Sequence, residues 1–118
     1  MAIKWNQLDA EDKLEEIVRD SFQTPQLIFK HSTRCSLSAM ALNRLEREGM
    51  LPSLAYHLLD LINFRTLSHA VAQKFGVHHE SPQVLLLKNG ECIYDESHLA
   101  IKASEIREQL SIPEKNPS

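Results

Sequence analysis

The feature that most limits how this chain can fold is the run Val84-Leu85-Leu86-Leu87, followed by Asn89-Gly90 and a return through Cys92-Ile93-Tyr94. Asn-Gly tolerates the positive φ values of a two-residue hairpin turn, so the last two strands must be antiparallel neighbours. The first half imposes the opposite geometry. A buried strand over Gln26 to Lys30 precedes a helical repeat of Leu37, Met40, Ala41 and Leu45 that starts at Ser36 and stops at Gly49 and Pro52. A second strand, Leu54 to Asp60, follows. Two strands joined through a helix run parallel, with a right-handed crossover. Leu14, Ile17 and Val18 form one face of a helix ahead of them, behind acidic Asp9, Glu11 and Asp12. Asn63 reads as the N-cap of a further helix whose core face is Leu67, Ala70, Val71 and Phe75, closed by Gly76, and Ile106 and Leu110 mark a closing helix. The expected fold is α/β, a mixed four-stranded sheet flanked by helices with an extra N-terminal helix. With 118 residues, 42% of them hydrophobic, the chain suits one compact domain over residues 1–112, with 113–118 as a frayed tail.

Chemistry concentrates in Arg34-Cys35-Ser36-Leu37-Ser38, between the first core strand and its helix. A cysteine there lies at a helix N-terminus, where unpaired N–H groups and the helix dipole favour the thiolate that attacks disulfides. Arg34, Ser36 and Ser38 are the expected thiolate-supporting residues. Three positions after Cys35, where a Cys-x-x-Cys pair keeps its resolving thiol, stands Ser38, which can hydrogen-bond a thiolate but cannot close a disulfide. Thiol chemistry should therefore run through one sulfur and take its second thiol from another molecule. The competing reading, an inert core cysteine, fits poorly with polar Thr33, Arg34, Ser36 and Ser38 around Cys35. Cys92, inside a hairpin strand, is expected to be structural.

Charge and composition exclude several classes. A formal net charge of −3, with both signs scattered, leaves no basic stripe, so no nucleic-acid partner is expected. Met1-Ala2-Ile3-Lys4-Trp5-Asn6 lacks the apolar core of a signal peptide, and no stretch approaches the roughly 18 to 20 apolar residues of a membrane span. The expectation is a soluble, cytoplasmic protein with no membrane partner. Two cysteines cannot build a four-cysteine zinc site, and His78-His79-Glu80 lacks the spacing that puts two ligands on one helical face, so no metal is expected. His31, His57 and His98 are read as structural hydrogen-bonding residues and His69 as solvent-facing.

The element order, with a cysteine after the first core strand and Pro82 just before the third, is that of the thioredoxin fold, whose proline at that place is cis. Lys30-His31-Ser32-Thr33-Arg34-Cys35, Ser38, Asn63 with Arg65, His79-Glu80-Ser81-Pro82-Gln83 and Ser97-His98 together resemble the YtxJ family of monothiol bacilliredoxins. The resemblance implies a thioredoxin-like oxidoreductase that removes bacillithiol from protein mixed disulfides through Cys35. Bacillithiol would be the co-substrate, with no bound cofactor. Bacillithiolated client proteins and the bacillithiol reductase system would be the partners. Ser81 and Pro82 would receive the substrate chain by strand-like pairing, with His79 nearby. Arg34 and Arg65 would recognise the malate carboxylates of bacillithiol, for which a guanidinium fork is suited. The family often has proline directly after its cysteine, where this chain has Ser36. Two other roles fit the same pattern: a non-catalytic docking module, and a monothiol carrier of an iron-sulfur cluster.

Overall fold

The computed structural model describes residues 2–112, so the tail expected at 113–118 lies outside the described residues. In chain order the elements are β1 (Trp5–Gln7), α1 (Glu11–Asp20), β2 (Gln26–His31), α2 (Ser36–Glu48), β3 (Ala55–Asp60), α3 (Arg65–Phe75), β4 (Gln83–Lys88), β5 (Glu91–Ser97), a 3-10 turn (His98–Ala100) and α4 (Ala103–Ser111). The strands form one mixed sheet in the order β1-β3-β2-β4-β5. β1, β3 and β2 are parallel, and β4 runs antiparallel to both β2 and β5.

Strand periodicity divides the core into two layers. Leu27, Phe29, Val84 and Leu86 face Ala41 and Leu45 of α2 and Ile106 of α4. Ile28, Leu85 and Leu87 face Leu14 and Ile17 of α1 and Leu67 and Val71 of α3. Leu27, Ile28 and Phe29 are fully buried, as are their β4 counterparts. Each such side chain contributes about 1.5–3 kcal/mol of hydrophobic stabilisation, which makes β2 and β4 the rigid centre to which the flanking loops are anchored.

The sheet has five strands where the sequence suggests four. β1 is three residues of mostly polar character, too short to carry a period, and tertiary contacts make it a strand. Trp5 packs edge-on against Phe29 and Tyr56, Asn6 Nδ2 donates to the Tyr56 carbonyl, and the Leu8 amide donates to the Leu58 carbonyl. Two further expectations need correction. Met40 is 57% exposed, because the buried stripe of α2 runs Ser38, Ala41, Leu45 and Met40 lies about 100° off it. Asn63 is not the cap of α3, which begins at Arg65 with Phe64 as N-cap. Asp60 captures Asn63 instead, accepting from its Nδ2 at 2.7 Å and from the Ile62 amide.

The hairpin forms as its turn chemistry requires: Asn89 and Gly90 have φ of 54° and 80°. It is tied to the end of α1 by the Asn89 amide donating to the Ser21 carbonyl and the Gly90 amide to Ser21 Oγ. The register between β4 and β5 slips once, with Leu86 opposite Tyr94 but Leu87 opposite Cys92. Ile93 is therefore the extra residue of a bulge.

Candidate active site

β2 ends at His31, and the chain turns through Ser32 to Cys35 before entering α2. The Cys35 amide donates to the Ser32 carbonyl at 3.2 Å, and the Cys35 carbonyl accepts the first helical bond from Ala39. Cys35 is the N-cap of α2 in extended conformation, and its side chain makes no capping bond. The thiol is half-buried, next to the free N–H groups of the first helical turn. Ser36 and Arg34 are exposed on either side.

Ser38 is fully buried, and its hydroxyl is used differently from the expectation of direct thiolate support. Ser38 Oγ accepts from the Ser32 amide at 3.1 Å and lies 2.7 Å from His31 Nδ1. The residue in the place of a resolving thiol thus holds Ser32, whose carbonyl in turn holds the Cys35 amide. Burial lowers the His31 pKa, opposed by the nearby Asp60 and Glu46 carboxylates. The neutral ring that results at pH 7 can either donate to or accept from Ser38.

β4 is antiparallel to β2, with Lys30 opposite Gln83, so the segment entering β4 lies at the same sheet end as the Cys35 turn. The Ser81–Pro82 peptide is cis. Pro82 is buried, and its carbonyl accepts from the His98 amide at 2.9 Å. Glu80 stands 3.7 Å from His98 and 3.9 Å from His78. The Ser81 hydroxyl is buried without a hydrogen-bond partner. His79 faces inward to Lys30, at 3.2 Å from Nδ1 to Nζ, and its ring packs against His69. Its pKa is lowered by burial first, then by the Lys30 and His69 charges.

Arg65 is exposed at the start of α3. It lines a cleft of about 390 Å³ together with Asp9, Ala10, Glu11, Asn63 and Phe64, facing the acidic β1–α1 turn. The sequence pattern discloses neither the partnership of His31 with Ser38 nor the enclosure of Lys30. The one signal for Lys30 is its place inside an otherwise apolar strand, where a lysine must find acceptors.

Cys92 occupies a different environment. Its Sγ donates to the Tyr94 carbonyl at 3.3 Å, and burial pushes its pKa up to about 11. It pairs with Leu87, which opposes Gln26 at the start of β2, whereas Cys35 lies beyond the end of β2. A six-residue strand spans roughly 16 Å, far more than the roughly 7 Å that a disulfide bridges between Cα atoms. Among the described residues no group of three or more His, Cys, Asp or Glu side chains is placed to hold a metal ion.

A half-buried single thiol at a helix N-cap, a buried serine three residues after it and a cis-proline at the same sheet end make up the candidate site. The family defined as monothiol bacilliredoxin BrxC matches this sequence over residues 6–106. The chain belongs to that family. Among solved structures, a candidate oxidoreductase with a thioredoxin fold is similar at 27% identity and a TM-score of 0.79, over 89% of this chain and 92% of that one. Thioredoxin from Malassezia sympodialis is 14% identical with a TM-score of 0.71, covering 92% and 89% of the two chains. Thioredoxin from Trypanosoma brucei brucei is 10% identical with a TM-score of 0.73, covering 93% and 90%. The two thioredoxins establish the fold alone. Family and fold together make this bacilliredoxin-family chain a thioredoxin-like thiol-disulfide oxidoreductase.

Proposed function

We propose that the chain removes bacillithiol from mixed disulfides on client proteins in the cytoplasm, with Cys35 as the only sulfur it contributes. The observation that carries this reading is the pairing of an unbonded Cys35 thiol with a Ser38 hydroxyl committed to Ser32 and His31. The Cys35 thiolate attacks the bacillithiol sulfur of the adduct. A bond forms between Cys35 and bacillithiol, the old disulfide breaks, and the client thiolate leaves with the electron pair. A second bacillithiol thiolate then attacks the bacillithiol sulfur on Cys35, which restores the Cys35 thiolate and releases the bacillithiol disulfide to its reductase. Attack on the client sulfur instead would trap a protein-protein disulfide.

Exposed Arg34, adjacent to the nucleophile, is the side chain proposed to meet the malate carboxylates. Ser81 offers backbone groups to the client chain beside Pro82, with His79 behind them. Arg65 is a weaker candidate, because Asp9 and Glu11 in its cleft repel an anionic ligand. No bound cofactor enters the scheme.

Intact mass spectrometry tests it. Incubation with a bacillithiolated peptide should shift the protein by one bacillithiol on Cys35, and added bacillithiol should reverse the shift. Addition of the peptide rather than bacillithiol would assign attack to the wrong sulfur, and no adduct would favour a docking role.

A further inference from the structure

Lys30 has no exposed surface. It lies on the β2 face that carries Ile28, in the layer formed with Leu85, Leu67 and Val71. An ammonium there needs acceptors. It finds the Ser68 carbonyl of α3 at 3.1 Å and His79 Nδ1 at 3.2 Å. Ser68 Oγ lies a further contact away, 3.4 Å from the same Nδ1.

The chemistry of the pair fixes the proton. An ammonium only donates, so His79 Nδ1 must accept, and the neutral ring carries its hydrogen on Nε2. Burial brings the Lys30 pKa down to about 8, which still leaves the ammonium predominant at pH 7. The groups facing His79 are Lys30 from β2, His69 from α3, and His78 and Glu80 from its own segment. Three of these four are bases that disfavour an imidazolium when charged.

His79 is three residues ahead of Pro82. On the other side of the proline, Gln83 pairs in register with Lys30, and its Nε2 donates to the His78 carbonyl at 2.9 Å. The segment from His78 to Gln83 is therefore pinned from beneath by β2 and closed on itself by Gln83, while Pro82 is held by the His98 amide at the start of the 3-10 turn that follows β5. Lys30 is the one charged group of this set that is fully enclosed.

We propose that Lys30 is a positioning residue for substrate binding: it locks His79 in the Nε2–H tautomer and holds the Ser81-Pro82 edge in place before a mixed disulfide arrives. The inference rests on the reading of that edge as the substrate site. Lys30 touches neither substrate nor Cys35 and acts through His79.

The test combines imidazole ¹⁵N NMR on the whole chain with disulfide-exchange kinetics for Lys30→Met and Lys30→Gln. In the wild type at pH 7, His79 should show a protonated Nε2 and an accepting Nδ1. Lys30→Met, which removes the donor, should change that pattern and raise KM for a bacillithiolated peptide by about fivefold or more, with kcat and the iodoacetamide rate of Cys35 within about twofold, whereas Lys30→Gln, whose amide still donates, should show a smaller change in both. A merely structural role would not change the tautomer and KM together while sparing Cys35. A wild-type proton on Nδ1 would overturn the proposal even if neither variant folds. A folded Lys30→Met with unchanged KM would also overturn it. Absence of exchange by the wild type would instead remove the redox reading, a result that the tautomer measurement does not share.

Discussion

Cys35 and Cys92 are the same side chain at opposite ends of one sheet, and their surroundings are of opposite kind. Cys35 stands where a strand has ended and a helix has not completed its first turn, so the first-turn backbone donors lack helical partners, and its sulfur makes no capping bond and no disulfide. Cys92 stands within a ladder, its Sγ spent on the Tyr94 carbonyl and its thiol held protonated by burial. The two cysteines thus differ in the state of the neighbouring backbone: one lies at an incomplete helix end with unpaired N–H groups, the other in a satisfied strand.

The sharpest way to break that contrast is to exchange each sulfur for oxygen. Cys35→Ser should reduce exchange with a bacillithiolated peptide by about a thousandfold or more, since a neutral hydroxyl is a far weaker nucleophile. Cys92→Ser should stay within about twofold. An internal Cys35–Cys92 disulfide found by peptide mapping would end the single-sulfur account.

Alkylation tests the same contrast without mutation. With its pKa at about 11, Cys92 is thiolate in only about one molecule in a thousand at pH 8. Iodoacetamide should therefore label Cys35 at least about tenfold faster at that pH. The thiolate is the deprotonated form, so the Cys92 rate should climb as pH approaches 11 and the gap should narrow. Faster labelling of Cys92 at pH 8 would contradict the site assignment.

Ser38→Ala probes what supports the reactive end. It strips the Ser32 amide and His31 Nδ1 of their shared partner. Leaving a buried donor unpaired costs about 1–3 kcal/mol. Urea unfolding should show that loss, and Cys35 should lose its rate advantage over Cys92 in part. Unchanged stability would mean that the Cys35 turn holds without Ser38.

The smallest expected effect belongs to Arg34. Exposed charge pairs contribute less than about 1 kcal/mol, so Arg34→Ala should slow exchange with bacillithiol adducts by about two- to fivefold relative to an uncharged disulfide. Added salt should shrink the difference. Equal slowing on both substrates would leave the malate contact without support.

Much of the fold is legible in the amino-acid sequence, which also singles out Cys35 as the candidate nucleophile. The Asn89-Gly90 turn, the α2 repeat behind Cys35 and the proline ahead of β4 are local signals, each readable within a few residues. Legibility stops where a residue's role depends on a distant partner or on the exact path of a turn. Trp5–Gln7 has no strand pattern of its own and becomes β1 only against Tyr56 and Leu58. Asn63 has the chemistry of a cap, but the turn after β3 brings it to Asp60 instead. Ser38 has the spacing to meet the sulfur three residues away, whereas its hydroxyl bonds to the turn before the cysteine.

The sequence by itself determined every strand and helix but β1 and the 3-10 turn, their order and the parallel and antiparallel halves of the sheet, and it singled out Cys35 as the candidate nucleophile, because propensity, turn chemistry and helix-end electrostatics act between near neighbours. Only the tertiary structure decided which polar groups meet inside. Lys30 reaches Ser68 and His79 across 38 and 49 positions of chain, and Arg65 turns to a cleft shared with Asp9 and Glu11. A buried charge takes whichever acceptors the packing brings within about 3 Å, and that choice is made by the sheet register and helix placement rather than by any local pattern.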